Sequence, residues 1–282
     1  MRRRSLLFVP GNNPGMVVNS QVFGSDGVIF DLEDAVAQDQ KDCARILVRN
    51  CLAFFRSWRG ERIVRINSLD TPFWREDVRE MVSAGADTIM LPKVQSVQDL
   101  ISLDQALSSE EAGAKSRLSV MALIETPEGV ENAKAIAGGP RVGGVLLGAE
   151  DLTAALGVQR TKAGSEISYA RGRLVMAAKS CGVDCIDTPF TDVDDMEGLK
   201  ADSELARSLG FDGKAVISPR HVEVVNRSFT PSDREIEWAR LVVDALEAGE
   251  RSGKGVVSVG GKMVDAPVAA RAQKILALIG GD

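Results

Sequence analysis

Eight short runs rich in valine, isoleucine and leucine recur along the chain, separated by longer stretches, several of them with helical periodicity. They cover residues 5–9, 27–31, 62–66, 87–91, 119–125, 142–147, 183–187 and 213–217. The runs are nearly continuous in apolar residues, as expected of strands covered on both faces. Repeated strand–helix alternation favours a parallel sheet. Eight such units are what a closed (β/α)8 TIM barrel requires, so the expected fold class is α/β. An open, doubly wound sheet is the alternative, but no GxGxxG fingerprint follows a strand. With 282 residues, 44% of them hydrophobic, the chain can fill a core of barrel size.

Between the runs, residues 77–84 place Val78, Met81 and Val82 at helical spacing. Residues 127–137 read as one helix, with Thr126 as N-cap and Pro127 in the first turn. Residues 171–180 and 197–209 are further helical stretches. Past Ser218, Pro219 and Arg220 the pattern changes. A long helix opens at Thr230–Asp233 and runs to about Arg251, a glycine-rich stretch over 253–262 reads as a flexible hinge, and a last helix reaches Leu278. The expected division is a catalytic barrel over 1–225 and a C-terminal helical lid over 226–282.

Charge and composition exclude several classes. A formal net charge of -6 leaves no electrostatic footprint for nucleic acid or an anionic membrane. No run approaches the roughly 20 apolar residues of a membrane span. Arg2–Arg4 resembles the start of a secretory signal, but Pro10 and Gly11 cut the apolar stretch behind it. A cytoplasmic protein is expected. The four cysteines include no CxxC pair, and His221 is the single histidine, which argues against a zinc site. Free thiols in a reducing compartment are the expectation.

What ends each run points to chemistry, because a barrel builds its active site at the C-terminal ends of its strands. The ends are Pro10-Gly11-Asn12, Asp31 with Glu33 and Asp34, Arg65 to Asn67, Lys93, Glu125, Glu150-Asp151, Asp187 and Ser218. Two carboxylates from neighbouring strands make an oxygen-rich site for a hard divalent cation. Asp34, Glu150 and Asp187 read equally well as caps of the next helix. Glu125 does so less, since Thr126 is available for that role. Arg65 at a strand end suits a two-pronged grip on a substrate carboxylate; an ion pair with Asp31 or Glu33 is the plainer reading. Lys93 reads as a Schiff-base lysine or as a surface cation. His221 reads as a packing residue. Asp265 is either the cap of the last helix or an acid carried on a closing lid. The loop over Pro10, Gly11, Asn12 and Asn13 offers backbone amides, and with Arg2–Arg4 before it reads as a place for pantetheine or phosphate, or as an ordinary turn.

Taken in order, residues 4–11, 30–34, 64–67, 91–93, 124–129, 147–151, 210–214 and 261–265 resemble the citrate lyase β-subunit family of acyl-thioester lyases. The resemblance implies a TIM barrel, a Mg²⁺ cofactor and cleavage of a 3-hydroxy-acyl thioester, either acyl-CoA or acyl-carrier protein. It implies metal ligands Glu125 and Asp151 and a substrate carboxylate on Arg65. It further implies that Asp265 reaches a neighbouring subunit's site, in a homotrimer or homohexamer. Glu33 and Asp34 are the candidate bases for the substrate hydroxyl. Citryl thioester is the expected substrate, with α and γ subunits of citrate lyase as partners to test. A free-standing citramalyl-CoA or malyl-CoA lyase is the alternative. The pyruvate-aldolase branch uses a histidine base near its metal, and His221 lies too far along the chain for that role. Outside this class, a lysine-dependent aldolase on Lys93 and a non-catalytic carrier-binding protein are the rivals.

Overall fold

The computed structural model describes residues 2–54, 58–112, 117–251, 257–259 and 262–279. Eight parallel strands close into a barrel: β1 (Ser5–Pro10), β2 (Gly27–Asp31), β3 (Glu61–Arg65), β4 (Thr88–Leu91), β5 (Ser119–Ile124), β6 (Val142–Leu147), β7 (Asp184–Asp187) and β8 (Gly213–Val216). Each pairs with the next, and β1 pairs with β8. The expected TIM barrel is therefore the fold.

Side chains alternate between the barrel interior and the helical layer. Leu6, Ile29, Ile63, Met90, Met121, Leu123, Leu146, Ile186 and Ala215 form the inner core. Stepping two residues from Ile29, Ile63 and Leu123 puts Asp31, Arg65 and Glu125 on the inward side at the C-terminal rim. One residue from inward Ile186, Asp187 must face the helices instead. It does: Asp187 accepts from Arg171 at 3.0 and 2.8 Å and from Lys214 at 2.6 Å, in a cluster shared with Asp202. Asp187 is thus neither a site acid nor a cap.

The opposite rim is sealed by ion pairs. Arg3 bonds Glu61 at 2.8 and 2.7 Å and Asp184 at 3.1 Å, and Arg4 bonds Asp26 at 2.8 and 2.9 Å. Arg3 and Arg4 stand before the first residue of β1, whereas Pro10–Asn12 lies at its far end. The expectation that they share a ligand with that loop is corrected: the length of a strand separates them.

Thr126 caps its helix as expected, accepting from the amide of Gly129 at 3.1 Å. The helix is broken, however, into Pro127–Glu131 and Ala133–Ala137. At the break Asn132, a weak helix former, donates its side-chain amide to the Gln95 carbonyl at 2.8 Å. Helices over Lys41–Phe54, Val97–Glu110, Ala149–Leu156 and Pro219–Phe229 complete what the sequence patterns left open.

The chain divides into two compact units, residues 1–229 and 230–282. The helix Pro219–Phe229 belongs to the first, which carries the border a few residues past 225. In the second unit, helices Asp233–Arg251 and Ala266–Ala277 enclose a small core of Ala239, Val242, Val264 and Ala272. Between them, β9 (Val257–Val259) pairs antiparallel with β10 (Lys262–Val264). The expected hinge over 253–262 lies largely outside the described residues; its described part includes β9.

Candidate active site

A cavity of about 490 Å³ opens at the C-terminal rim of the barrel. Pro10, Asp31, Asp34, Arg65, Glu125, Glu150 and Asp151 line it beside apolar Phe8, Leu123, Leu146, Leu147 and Ile217. Of the expected site residues, Arg65, Glu125, Asp151, Asp34 and Pro10 meet here; Gly11, Asn12 and Glu33 are not among its lining residues.

The turn after β2 organises one side. Asp31 accepts from the amides of Glu33 and Ala35 at 2.9 and 3.0 Å, and Lys41 clamps the carbonyls of Leu32 and Glu33 at 2.8 and 2.6 Å. The same Asp31 carboxylate takes Nε and Nη2 of Arg65 at 2.7 and 2.6 Å. Arg65 Nη1 lies 3.1 Å from Glu33 and 3.4 Å from Asp34, and its guanidinium sits over the Phe8 ring at 5.3 Å. The ion pair with Asp31 was the plainer reading, and it is present. It fixes the Nε–Nη2 edge of the guanidinium, so a substrate carboxylate would meet the Nη1 side, beside Glu33 and Asp34.

Glu125, 3% exposed, follows β5 directly. Oε1 accepts the amide of Lys93 at 2.7 Å. Burial, then the charges of Asp151 and Glu33, push its carboxyl up to about 8. Asp151 stands in the first turn of the helix Ala149–Leu156, two residues behind its start. Glu33 is buried, and its carboxyl is also raised, chiefly by burial and against the pull of Arg65. Its oxygens face Arg65 and Lys93 as ion pairs at 3.1 Å but make no hydrogen bond of good geometry.

Lys93 and His221 take the plainer roles, and two amides of the β1 loop are bonded within the chain. Lys93 Nζ pairs with Glu33, and its ammonium is held above the ordinary lysine range despite partial burial. A Schiff-base lysine needs the opposite shift. His221 is buried, with Nε2 3.2 Å from the Val193 carbonyl, and is not among the residues lining the cavity. The amides of Gly11 and Asn13 already donate to the Asp31 and Pro10 carbonyls at 2.8 and 3.2 Å, and the Asn13 side chain caps the helix Pro14–Asn19. Asp265 caps the helix Ala266–Ala277 through the amide of Val268 at 3.1 Å, while its side chain stays exposed. The four cysteines are free.

The donor set fits a hard divalent cation. Glu125 and Asp151 are both oxygen donors, and their mutual repulsion is what a cation would relieve. Among the described residues no cluster of three or more acidic, histidine or cysteine ligands is assembled. Such a site leaves room for water and substrate oxygens, the habit of Mg²⁺.

The family description HpcH/HpaI aldolase/citrate lyase matches residues 4–219. The chain is 42% identical over 280 residues to the citrate lyase subunit beta of Leuconostoc mesenteroides subsp. cremoris, covering 98% of this chain and 93% of that one. It is 37% identical over 262 residues to a (3S)-malyl-CoA thioesterase of Cereibacter sphaeroides, covering 93% and 89%. The structure of protein CitE from Mycobacterium tuberculosis in complex with magnesium, acetoacetate and coenzyme A superposes with a TM-score of 0.81 at 32% identity, covering 99% and 98%.

Proposed function

This chain belongs to the HpcH/HpaI aldolase/citrate lyase family, and from that premise we propose that it is a Mg²⁺-dependent carbon–carbon lyase that cleaves a citryl thioester to oxaloacetate and an acetyl thioester. The observation that carries the reading is one cavity holding Glu125, Asp151 and Arg65 on its wall. Bound between Glu125 and Asp151, Mg²⁺ would supply Lewis-acid charge to the substrate's hydroxyl and carboxylate oxygens.

The residues divide the remaining work. Arg65, held rigid by Asp31, turns its Nη1 side, where Glu33 and Asp34 also sit, to the substrate carboxylate and offsets its charge. Asp34 lines the cavity with its side chain about half exposed, and accepts from Arg65 Nη1 at 3.4 Å, whereas Glu33 is buried, absent from the cavity lining and paired with both Arg65 and Lys93. Asp34 is therefore the group that takes the hydroxyl proton. The bond between the hydroxyl-bearing carbon and the carbon next to the thioester then breaks. Its electron pair passes into the thioester enolate, and the hydroxyl oxygen becomes the ketone of the 2-oxo acid. Asp265, an exposed acid on the second unit, protonates that enolate from a neighbouring subunit in a homotrimer or homohexamer. The apolar wall limits water around the enolate.

The same wall favours a second reading. Leu123, Leu146, Leu147 and Ile217 face the site, and Arg65 is the one cation among its described lining residues. Citryl thioester carries one more carboxylate than citramalyl or malyl thioester. A free-standing (S)-citramalyl-CoA or malyl-CoA lyase, releasing pyruvate or glyoxylate, meets this wall with a methyl group or a hydrogen. Association with citrate lyase α and γ subunits belongs to the first reading only. Among the described residues no helix is long and apolar enough to cross a membrane, and the free cysteines suit the cytoplasm we propose for it.

Release of 2-oxo acid from citryl-, citramalyl- and malyl-CoA, and from citryl-carrier protein, with Mg²⁺ or EDTA, separates these readings by product. Metal-dependent release of oxaloacetate is expected. Pyruvate or glyoxylate would select the second reading, and silence with every thioester would sink both.

A further inference from the structure

Among the described residues Glu125 accepts a hydrogen bond from the Lys93 amide at 2.7 Å, and a backbone stands close on another side of it. That backbone is Gly148, in the turn between β6 and the helix bearing Asp151. Its amide donates to the Ile124 carbonyl at 2.9 Å, pinning the turn against the end of β5. A Cβ built on Gly148 would lie 2.6 Å from Glu125 Cβ and 2.6 Å from Glu125 Oε2; the next atom, Leu123 Cδ1, is at 3.3 Å. Glycine is not required here by backbone conformation. Gly148 has φ -93 and ψ 86, close to the inverse γ-turn that other residues adopt. What it supplies is space, taken first by Glu125 and then by the tip of the Leu123 side chain.

We propose that Gly148 is the positioning residue of the cation site, its missing side chain setting the approach of the Glu125 carboxylate to Asp151 three residues on. The inference rests on the reading that Glu125 and Asp151 hold the cation. The contact involves both ends of the Glu125 side chain. Oε2 alone could swing away, but Cβ moves only if the end of β5 moves. An alanine at this position therefore displaces the carboxylate, parts the two strand ends, or does both. Either result spoils a two-carboxylate site, whose geometry the cation demands within a few tenths of an ångström.

The test is cation binding by the full chain, with Mg²⁺ followed by calorimetry and Mn²⁺ by its paramagnetic resonance. Gly148→Ala is expected to weaken binding about 10- to 100-fold, the range for residues that orient a ligand without touching the metal. A second variant covers misfolding. Glu125→Gly combined with Gly148→Ala removes every Glu125 atom in the clash, so this pair is expected to melt no lower than Glu125→Gly alone. Native cation affinity in Gly148→Ala would overturn the proposal, as would a double variant much less stable than Glu125→Gly. Glu125→Gln separates the two levels of inference. If it binds the cation as well as the unaltered protein does, the ligand reading fails, while the melting comparison still decides whether Gly148 is reserved for Glu125.

Discussion

At Glu125 the protein holds a carboxyl group whose proton would leave on cation binding. Its ordinary value of 4.5 is pushed up to about 8 by burial, then by Asp151 and Glu33. A raised carboxyl means that the folded chain keeps a proton the unfolded chain has lost between those two values. Without Mg²⁺, stability therefore falls as pH rises from about 4.5 to about 8. Cation binding must expel that proton, so Mg²⁺ affinity should climb about tenfold per pH unit below about 8 and level off above it. Thermal melting across pH, with and without Mg²⁺, checks both slopes; a flat affinity profile would show that no proton leaves Glu125 on cation binding. Arg65→Lys keeps the charge but loses the planar fork shared between Asp31 and the cavity. Its kcat/KM should fall about 10²- to 10³-fold, as when one preorganised donor is removed from a charged transition state. Steady-state kinetics at saturating Mg²⁺ measure this.

Among the elements, the strands were the most legible part of the sequence. Each of the eight runs became a strand within a residue or two, because strands covered on both faces are apolar throughout. Their ends were legible for the same reason: a charge after such a run has nowhere to go except a rim. The run alone did not say which face a terminal acid takes. Glu125 turns inward and Asp187 outward, and only the phase set by Leu123 and Ile186 distinguishes them. The helix Lys41–Phe54 was hidden because its buried face carries Lys41 and Arg45, which bond the Leu32 and Glu33 carbonyls and Asp77 and so interrupt the apolar stripe. The hairpin of β9 and β10 was hidden behind glycines that read as a hinge. Asp187 belongs to this scale, as the tie between β7, β8 and two helices. Asp187→Ala leaves Arg171 and Lys214 to share Asp202 alone, and should cost about 3–5 kcal/mol in a urea melt. The folded fraction should keep its Mg²⁺ affinity, since this cluster faces away from the cavity.

For the whole molecule, the proposed chemistry divides its residues between the two compact units. The barrel supplies Glu125, Asp151, Arg65 and Asp34, while Asp265 lies in the other compact unit. As a helix cap alone, Asp265 would be worth about 1 kcal/mol, and Asp265→Asn, itself a good cap, would leave turnover intact. As the acid that protonates the enolate, its loss should lower kcat at least about 100-fold with little change in Mg²⁺ affinity. If it acts across subunits, mixing Asp265→Asn with Arg65→Ala should recover activity that neither has, because mixed oligomers rebuild some intact sites. No recovery in verified mixed oligomers would place both residues in one subunit's site. The central claim is simpler than any of these, and anomalous diffraction from Mn²⁺-soaked crystals tests it most directly. The account predicts one strong peak within about 2.3 Å of carboxylate oxygens of both Glu125 and Asp151, lost in Glu125→Gln. A peak elsewhere in the barrel mouth, or one that survives that substitution, would contradict it.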